Sequence, residues 1–463
     1  MHKIITMNVF KIFSITLFTI TLLSCRKYVE KVPVQGLRVL VYTQDYRLLM
    51  NNKNDSEIGA GLAASIGCDD VDLKDPNLQG NIVNDPLYTK IYTWRKPFYI
   101  DKEEDFDWNA MYKGMFTYNT VIEGVLDSKN GTLEERNSIY AEALVQRAYT
   151  YFTLVNCYAK QYDATTATTD PGVPLLLQAE LFVNLERATV DQVYAQILKD
   201  LAVALPLIPA NQPNNIRPNR AAAYALLAKV HLNMRNFEAA LAAAEQSLSL
   251  SSVIMDYKQP MPGGYPTLVL NRQVLLRRVP RLVYSSMQLS DELRNLLGTK
   301  DLRYTLFTRD GQNDAFYPKF TGRGFYPGAG SDQPSVGLTV TETYLIRAEC
   351  LARAGRRVDA LQMLNDFRKL RFKSEDYADL AATTDQQALE MVINERRREF
   401  FGTGLRWFDQ KRLNKDPFFA TTAKVTRVFN GTTYTLEPNS NAYVFPLSTL
   451  IVTQNPELKQ NPE

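Results

Sequence analysis

The chain has 463 residues, enough for one large domain or for two to three ordinary ones. Hydrophobic residues make up 45% of the sequence and charged residues 22%, as in an ordinary globular protein. The net charge of +3 falls to +1 without residues 1–24, which contain Lys3 and Lys11, so no electrostatic attraction to nucleic acid is expected. Beyond residue 24, His231 is the only histidine, which argues against a His-based catalytic triad or a His-rich metal site.

Residues 1–24 have the pattern of a secretory leader. Two lysines form a basic start, and residues 12–23 form an apolar run that is too short to span a bilayer. The residues that end at Cys25 resemble the lipobox of a bacterial lipoprotein, which implies cleavage before Cys25 and acylation of that cysteine. The alternative is a free cysteine behind an ordinary signal peptide. Multiple acyl chains on Cys25 would give stable anchoring, and residues 25–36 are then expected to form a tether.

The first part of the mature chain is poor in long helical patterns. Residues 37–50 have a helical rhythm, whereas residues 51–105 have no sustained helical period and contain Asp75-Pro76 and Asp85-Pro86. We interpret residues 51–105 as a long irregular excursion, a kind of segment that is often functional. The Asp69-Asp70 pair within it suits acid–base chemistry, calcium binding or, as the favoured interpretation, solvated acids in a turn.

Helices are predicted next at residues 106–126, 134–158 and 190–205. The clearest pattern follows, at residues 218–250, where two amphipathic stretches repeat the same apolar spacing around a short polar break. This pattern predicts an antiparallel helical hairpin, whose many alanines allow close approach of the two backbones. The second helix is similar to that of a tetratricopeptide repeat, although Ser247 replaces a small apolar residue. Such a hairpin must pack against neighbours of the same kind.

The remainder of the chain alternates between breaker-rich and helical segments. Residues 251–334 are rich in Gly and Pro and predict a second excursion, with short strands at residues 274–279 and 282–285. A second helical hairpin begins at residue 339, and a further helix spans residues 386–400. In the tail, Pro446 and Pro456 argue against helix.

Two further patterns are interpreted as structural. Cys157 and Cys350 lie in helical patterns and are expected to be small core residues, with no disulfide framework. The charged run at residues 395–399 (ERRRE) predicts ion pairs within and between helices rather than a basic patch.

Several motifs occur in a shared order along most of the chain. They are the Cys25 lipobox, Trp108 with Tyr112 and Asn119, residues 147–152 (RAYTYF), 219–223 (NRAAA), 341–349 (TETYLIRAE), 393–397 (INERR), 404–409 (GLRWFD), Phe445-Pro446 and Asn455-Pro456. In this order the chain resembles the SusD/RagB family of outer-membrane lipoproteins from Gram-negative bacteria.

The resemblance implies a mainly α fold of about four tetratricopeptide-like helix pairs with large irregular loop insertions. Residues 37–463 are then expected to form one SusD-like domain. Its N-terminal helices and loops would span residues 37–250, its loop-rich insertion residues 251–335, and its C-terminal helices and tail residues 336–463.

The resemblance also implies a function. A family member is a lipoprotein of the outer membrane, facing the cell exterior, that binds an oligosaccharide or polysaccharide and passes it to a TonB-dependent SusC-type transporter. No catalytic residue, metal, cofactor or nucleic-acid partner is implied. Two alternatives stay open, namely a RagB-like peptide-binding protein on the same scaffold and a surface glycoside hydrolase with paired carboxylates.

A sugar presents a CH-rich face that packs on aromatic rings and a rim of hydroxyls that bond to carboxylates and amides. On this basis, the candidate ligand-binding residues are the aromatic side chains of the two excursions: Tyr88, Tyr92, Trp94, Tyr99, Tyr317, Phe325 and Tyr326. The alternative is that these aromatics fasten irregular segments to the helical scaffold.

Overall fold

The computed structural model describes most of the chain beyond residue 39. The described residues are 40–52, 58, 59, 61–262, 264–280, 286–328, 335–420 and 424–462. The predicted signal peptide, the predicted tether and Cys25 lie outside these residues, as does the predicted strand at residues 282–285.

Helices dominate the described part of the chain, and they confirm the mainly α prediction. The helices are α1 (Thr43–Met50), α2 (Leu62–Gly67), α3 (Pro76–Ile82), α4 (Pro86–Tyr92), α5 (Phe106–Gly124), α6 (Leu133–Tyr158), α7 (Val190–Ala204), α8 (Arg220–Asn233), α9 (Phe237–Leu250), α10 (Asp291–Leu297), α11 (Leu302–Leu306), α12 (Val340–Arg353), α13 (Arg357–Lys369), α14 (Asp385–Phe400), α15 (Leu405–Leu413), α16 (Pro417–Ala420) and α17 (Thr449–Gln454). In the part of the chain that the structure describes, no helix combines the length and apolar character needed to cross a membrane.

The long helices pack in sequence as antiparallel neighbours. Helix α6 lies between α5 and α7, α8 pairs with α9, and α12 packs against α9, α13 and α14. Thr132 begins α6 with a capping box, in which its hydroxyl accepts from the backbone N–H of Glu135 and the Glu135 carboxylate accepts from the backbone of Thr132. The predicted tetratricopeptide-like architecture is therefore present.

The α8–α9 hairpin shows why small residues are needed at its centre. Ala228, Ala240 and Ala244 are fully buried and pack together between the helices. Ser247 is buried as well, and its hydroxyl donates a 2.8 Å hydrogen bond to the backbone carbonyl of Ala221 on the facing helix. The serine that departs from the repeat pattern therefore satisfies its own polar group across the hairpin.

Strands are short in the described residues. They are β1 (Ile58–Gly59), β2 (Val274–Leu276), β3 (Val279–Pro280), β4 (Thr308–Asp310), β5 (Arg323–Phe325), β6 (Leu338–Thr339), β7 (Val425–Phe429) and β8 (Thr432–Leu436). They form the two-stranded pairs β1–β3, β2–β6, β4–β5 and β7–β8. The β7–β8 hairpin turns at Asn430-Gly431, where both residues have positive φ, as a tight hairpin turn requires.

The first excursion is more regular than predicted, because it contains the helices α2, α3 and α4. The Asp-Pro pairs, interpreted as features of an irregular segment, start two of these helices. The Asp75 carboxylate accepts from the backbone N–H of Asn77, the Asp85 carboxylate accepts from that of Leu87, and each following proline occupies the first helical turn. In the tail, α17 likewise forms between the two prolines that argued against helix.

The charged run at residues 395–399 forms ion pairs within and between helices, as predicted, and Glu395 and Arg396 within it are buried. Glu395 is fully buried and accepts hydrogen bonds from Arg303 at 2.6 Å, Arg368 at 2.8 Å and Arg398 at 3.0 Å. Burial alone would raise the pKa of the Glu395 carboxyl, but the surrounding guanidinium groups lower it to about 2. Arg396 pairs with Asp409 at 3.1 Å, which ties α14 to α15.

Cys68, Cys157 and Cys350 are unpaired and buried. The predicted core role of the two helical cysteines is confirmed. Burial also raises the pKa of each thiol well above its usual range.

Candidate functional site

A cleft of about 610 Å³ lies where the C-terminal helices meet the first excursion. Its walls come from the residues after α2, the start of α10, one face of α14, helices α15 and α16, and strand β7. A volume of this size is typical of small-molecule sites.

One wall is a face of α14. Glu390, Ile393, Asn394 and Arg397 line the cleft at spacings of three and four residues, so they lie on one side of the helix. Ile393 is buried, whereas Glu390 is half-buried and Asn394 is exposed. Among the described residues, the side chains of Glu390 and Asn394 have no hydrogen-bond or ion-pair partner. This wall therefore offers a carboxylate and an amide to a ligand.

The floor of the cleft is an ion-pair cluster. Arg406 donates from Nε and Nη2 to the two oxygens of Asp69, both at 2.7 Å, and Arg397 donates from Nε to Asp70 at 2.7 Å. Burial would raise the pKa of the Asp69 carboxyl, but Arg406 and Arg397 hold it well below its usual range. The same burial, with the charge of Asp69 beside it, raises the pKa of Asp70 despite Arg397.

These contacts correct the favoured interpretation of Asp69-Asp70 as solvated acids in a turn. Both carboxylates are instead held by arginines from α14 and α15, more than three hundred residues along the chain. Within the described ranges, no group of three or more His, Cys, Asp or Glu side chains is arranged to hold a metal ion.

The rim of the cleft is charged and partly aromatic. The Lys74 ammonium lies 3.0 Å from Asp291 and 3.3 Å from Asp72, and Lys424 lies 2.8 Å from Glu437. Phe418 on α16 is 41% exposed and meets Phe419 edge to face, with ring centroids 5.0 Å apart. The rim thus combines ring surface with lysines that are paired with carboxylates of the protein.

Tyr92 and Trp94, two predicted ligand platforms, are core residues. Tyr92 is fully buried and Trp94 is 7% exposed. Their rings lie on the guanidinium of Arg427, at 4.3 and 4.5 Å from the ring centroids, and the Trp94 indole N–H donates to the carbonyl of Gly67 at 2.8 Å. This burial contradicts their predicted role, because a sugar platform needs an exposed ring face.

Arg427 is a residue of the cleft that the sequence analysis did not predict. It lines the cleft from β7 and donates to the backbone carbonyls of Tyr92 at 2.7 Å and Val71 at 2.9 Å, and also to that of Cys68. Its burial lowers its pKa. The sequence contains one indication of this role, namely a charged residue between apolar residues in a short segment of the tail. It could not show the partners of Arg427, which lie more than three hundred residues away.

The other predicted residues are spread over the molecule. Tyr88 and Tyr99 are half-buried and pack against the main core. Phe325 packs edge to face on Phe401 with ring centroids 5.8 Å apart, and the Tyr326 ring lies under Arg309 at 4.4 Å.

Tyr317, another predicted ligand-binding residue, is 87% exposed, so its ring is accessible to solvent. Phe325 also borders a smaller cavity of about 110 Å³, together with Tyr257, Tyr265 and Phe307. Tyr99 borders a cavity of about 30 Å³. The 610 Å³ cleft is lined by none of the seven predicted aromatics.

Comparison with known proteins identifies two matching segments. Residues 67–232 match a family described as starch-binding associating with outer membrane, and residues 325–463 match the SusD family. Together the segments span about two thirds of the chain. The SusD-like protein P38 of Formosa agariphila is 30% identical over 122 residues, which cover 25% of this chain and 22% of that protein.

Solved structures share the fold over nearly the whole length. A SusD superfamily protein from Bacteroides thetaiotaomicron superposes with a TM-score of 0.70 at 20% identity, covering 91% of this chain and all of the other. A putative sugar binding protein from Bacteroides vulgatus gives 0.68 at 18% identity, covering 92% and 99%. A SusD-like carbohydrate binding protein from the same species gives 0.64 at 19% identity, covering 90% and 97%.

The two matched segments meet in the cleft, where Asp69 from the first is held by Arg397 and Arg406 from the second. With the helical repeats, the ordered motifs and the two family matches in agreement, the chain belongs to the SusD/RagB family.

Proposed function

We propose that this protein is a lipid-anchored outer-membrane lipoprotein, facing the cell exterior, that binds a glycan in the 610 Å³ cleft and passes it to a TonB-dependent SusC-type transporter. Family membership supports the setting, and the names of the sugar-binding and carbohydrate-binding neighbours support the ligand class. The observation that carries the choice of site is the α14 wall, where Glu390 and Asn394 line the cleft without a partner among the residues that the structure describes.

The chemistry of the cleft suits a polyhydroxylated ligand. A carboxylate accepts hydrogen bonds from sugar hydroxyls, an amide both donates and accepts, and the exposed Phe418 ring can pack on a CH-rich face. The charged floor groups are paired with each other, so a ligand need not supply a compensating charge. These features favour a neutral glycan over an anionic one.

One experiment distinguishes glycan binding from glycan hydrolysis. The purified mature chain is incubated with a panel of neutral and anionic polysaccharides, and both retention and newly formed reducing ends are measured. Retention of a neutral glycan without new reducing ends is the expected result. New reducing ends would favour the glycoside hydrolase alternative, and retention of mixed oligopeptides in place of glycans would favour the peptide-binding alternative.

Two substitutions test whether the 610 Å³ cleft is the glycan-binding site. Glu390→Gln replaces a charge-assisted hydrogen bond with a neutral one, and Asn394→Ala removes a hydrogen bond, so each is expected to weaken glycan binding by about fivefold or more. Glu375→Gln is the matched control, because Glu375 is an exposed carboxylate without a partner among the described residues and lies outside the cleft. Equal affinity of all three variants and the parent chain would exclude the cleft as the glycan site.

A further inference from the structure

A loop beside α5 carries two exposed apolar side chains at its apex. Along α5, the Asn119 amide donates to the carbonyl of Leu176 at 2.8 Å, and Glu123 accepts from the backbone N–H of Ala179 at 2.9 Å. The loop then returns, and Arg187 donates to the carbonyl of Tyr158 at 2.9 Å. Because Tyr158 lies beside the N-terminal end of α5, residues 180–183 form an apex at the opposite, C-terminal end of that helix.

The apex presents its apolar side chains to solvent. Leu181 is 70% exposed and Phe182 is 104% exposed, and Phe182 has a positive φ of 60°, which is uncommon for a bulky residue. The α5–α6 connection at the same end carries Leu126 at 40% and Leu133 at 65% exposure. Tyr42, at 45% exposure, forms a bridge with Lys129 in that connection. We call Tyr42, Leu126, Leu133, Leu181 and Phe182 the apolar collar.

The described chain also begins at this end. The backbone N–H of Lys129 donates to the carbonyl of Val41, and the backbone N–H of Thr43 donates to the carbonyl of Lys129, both at 2.9 Å. Residues 26–39 separate Cys25 from Leu40, and a chain of that length spans at most about 50 Å. An acylated Cys25 would therefore keep the apolar collar close to the bilayer, where even a weak contact becomes effectively intramolecular.

We propose that the apolar collar docks onto the lipid surface that holds Cys25, with Phe182 and Leu181 inserted into the interface. The proposal rests on the lipid anchor of the proposed function. The charges around the collar are mixed, since Asp127, Glu134 and Glu135 accompany Lys129 and Arg136. The contact is therefore hydrophobic, and it does not need anionic lipid or low salt.

The test replaces the natural anchor with an imposed one. The mature chain from residue 26 carries an N-terminal hexahistidine tag and is held on phosphatidylcholine vesicles that contain a small fraction of nickel-chelating lipid. Phe182→Trp reports on the apex, and Val358→Trp is the matched control, because Val358 is 75% exposed on α13, away from the collar. The three native tryptophans supply a constant background in both variants.

Lipids brominated in their acyl chains are expected to quench the extra emission of Phe182→Trp at least twofold and to leave that of Val358→Trp unchanged. The quenching should persist when anionic lipid or salt is added. Equal or absent quenching in the two variants would overturn the proposal, and so would quenching that requires a SusC-type transporter in the vesicles, which would indicate a protein partner. Because the tag supplies the tether, this result does not depend on acylation of Cys25 or on glycan binding. Those two properties are measured in separate experiments.

Discussion

The buried carboxylate of Glu395 gives the sharpest test of how the helical repeats are held together. Glu395 is fully buried and joins Arg303 from the insertion, Arg368 from α13 and Arg398 from its own helix. Glu395→Gln keeps the size of the side chain but removes its charge. The three guanidinium groups then lose a shared partner in a place that water does not reach.

The free energy of unfolding that Glu395→Gln should remove follows from two independent considerations of similar size. Removing one member of a buried ion pair typically costs about 3–5 kcal/mol. Independently, the pKa of Glu395 falls from 4.5 to about 2 on folding, a difference that corresponds to about 3 kcal/mol at pH 7. Because the folded-state pKa is the lower one, this stabilisation is present above pH 4.5 and is lost as the pH falls toward 2. At pH 3.5 it should amount to about 2 kcal/mol.

The assay is urea-induced unfolding of the parent chain and of Glu395→Gln at both pH values, monitored by fluorescence and by circular dichroism. The control is Glu245→Gln, because Glu245 pairs with Arg347 at the surface at 3.1 Å, where ion pairs contribute roughly 0–1 kcal/mol. A loss below about 1 kcal/mol for Glu395→Gln at pH 7, or a loss that does not shrink at pH 3.5, would refute the assigned role of this charge.

Three further predictions concern the anchor, the central hairpin and the buried aromatics. Cys25→Ala should leave folding intact and release the protein from the membrane, so its persistence in outer membranes that lack any partner would disprove the anchor. Ser247→Ala should lower the free energy of unfolding by about 1 kcal/mol, because the carbonyl of Ala221 loses its donor, whereas the exposed Ser249→Ala should change it by less than about 0.5 kcal/mol. Trp94→Ala should cost about 3–5 kcal/mol of stability yet leave the affinity of the folded protein for glycans unchanged, so a selective loss of affinity would restore Trp94 as a ligand residue.

The family and the fold class followed from the sequence because they depend on local patterns. Apolar spacing of three and four residues predicts each long helix regardless of its neighbours, and the ordered motifs cover most of the chain. The same local reasoning failed for Asp75-Pro76 and Asp85-Pro86. An aspartate before a proline suits a helix start as well as a turn, and only the residues that pack behind it decide between them.

The candidate site depended on contacts that no local pattern contains. The sequence indicated that aromatic side chains cluster in the first excursion, but an aromatic ring can equally serve as a platform or as core. Strand β7 made Tyr92 and Trp94 core residues, because it brings Arg427 against both rings from more than three hundred residues away. The local apolar spacing along the chain therefore determined a stacked helical scaffold, whereas long-range packing alone determined which polar side chains, such as Glu390, remain available to a ligand.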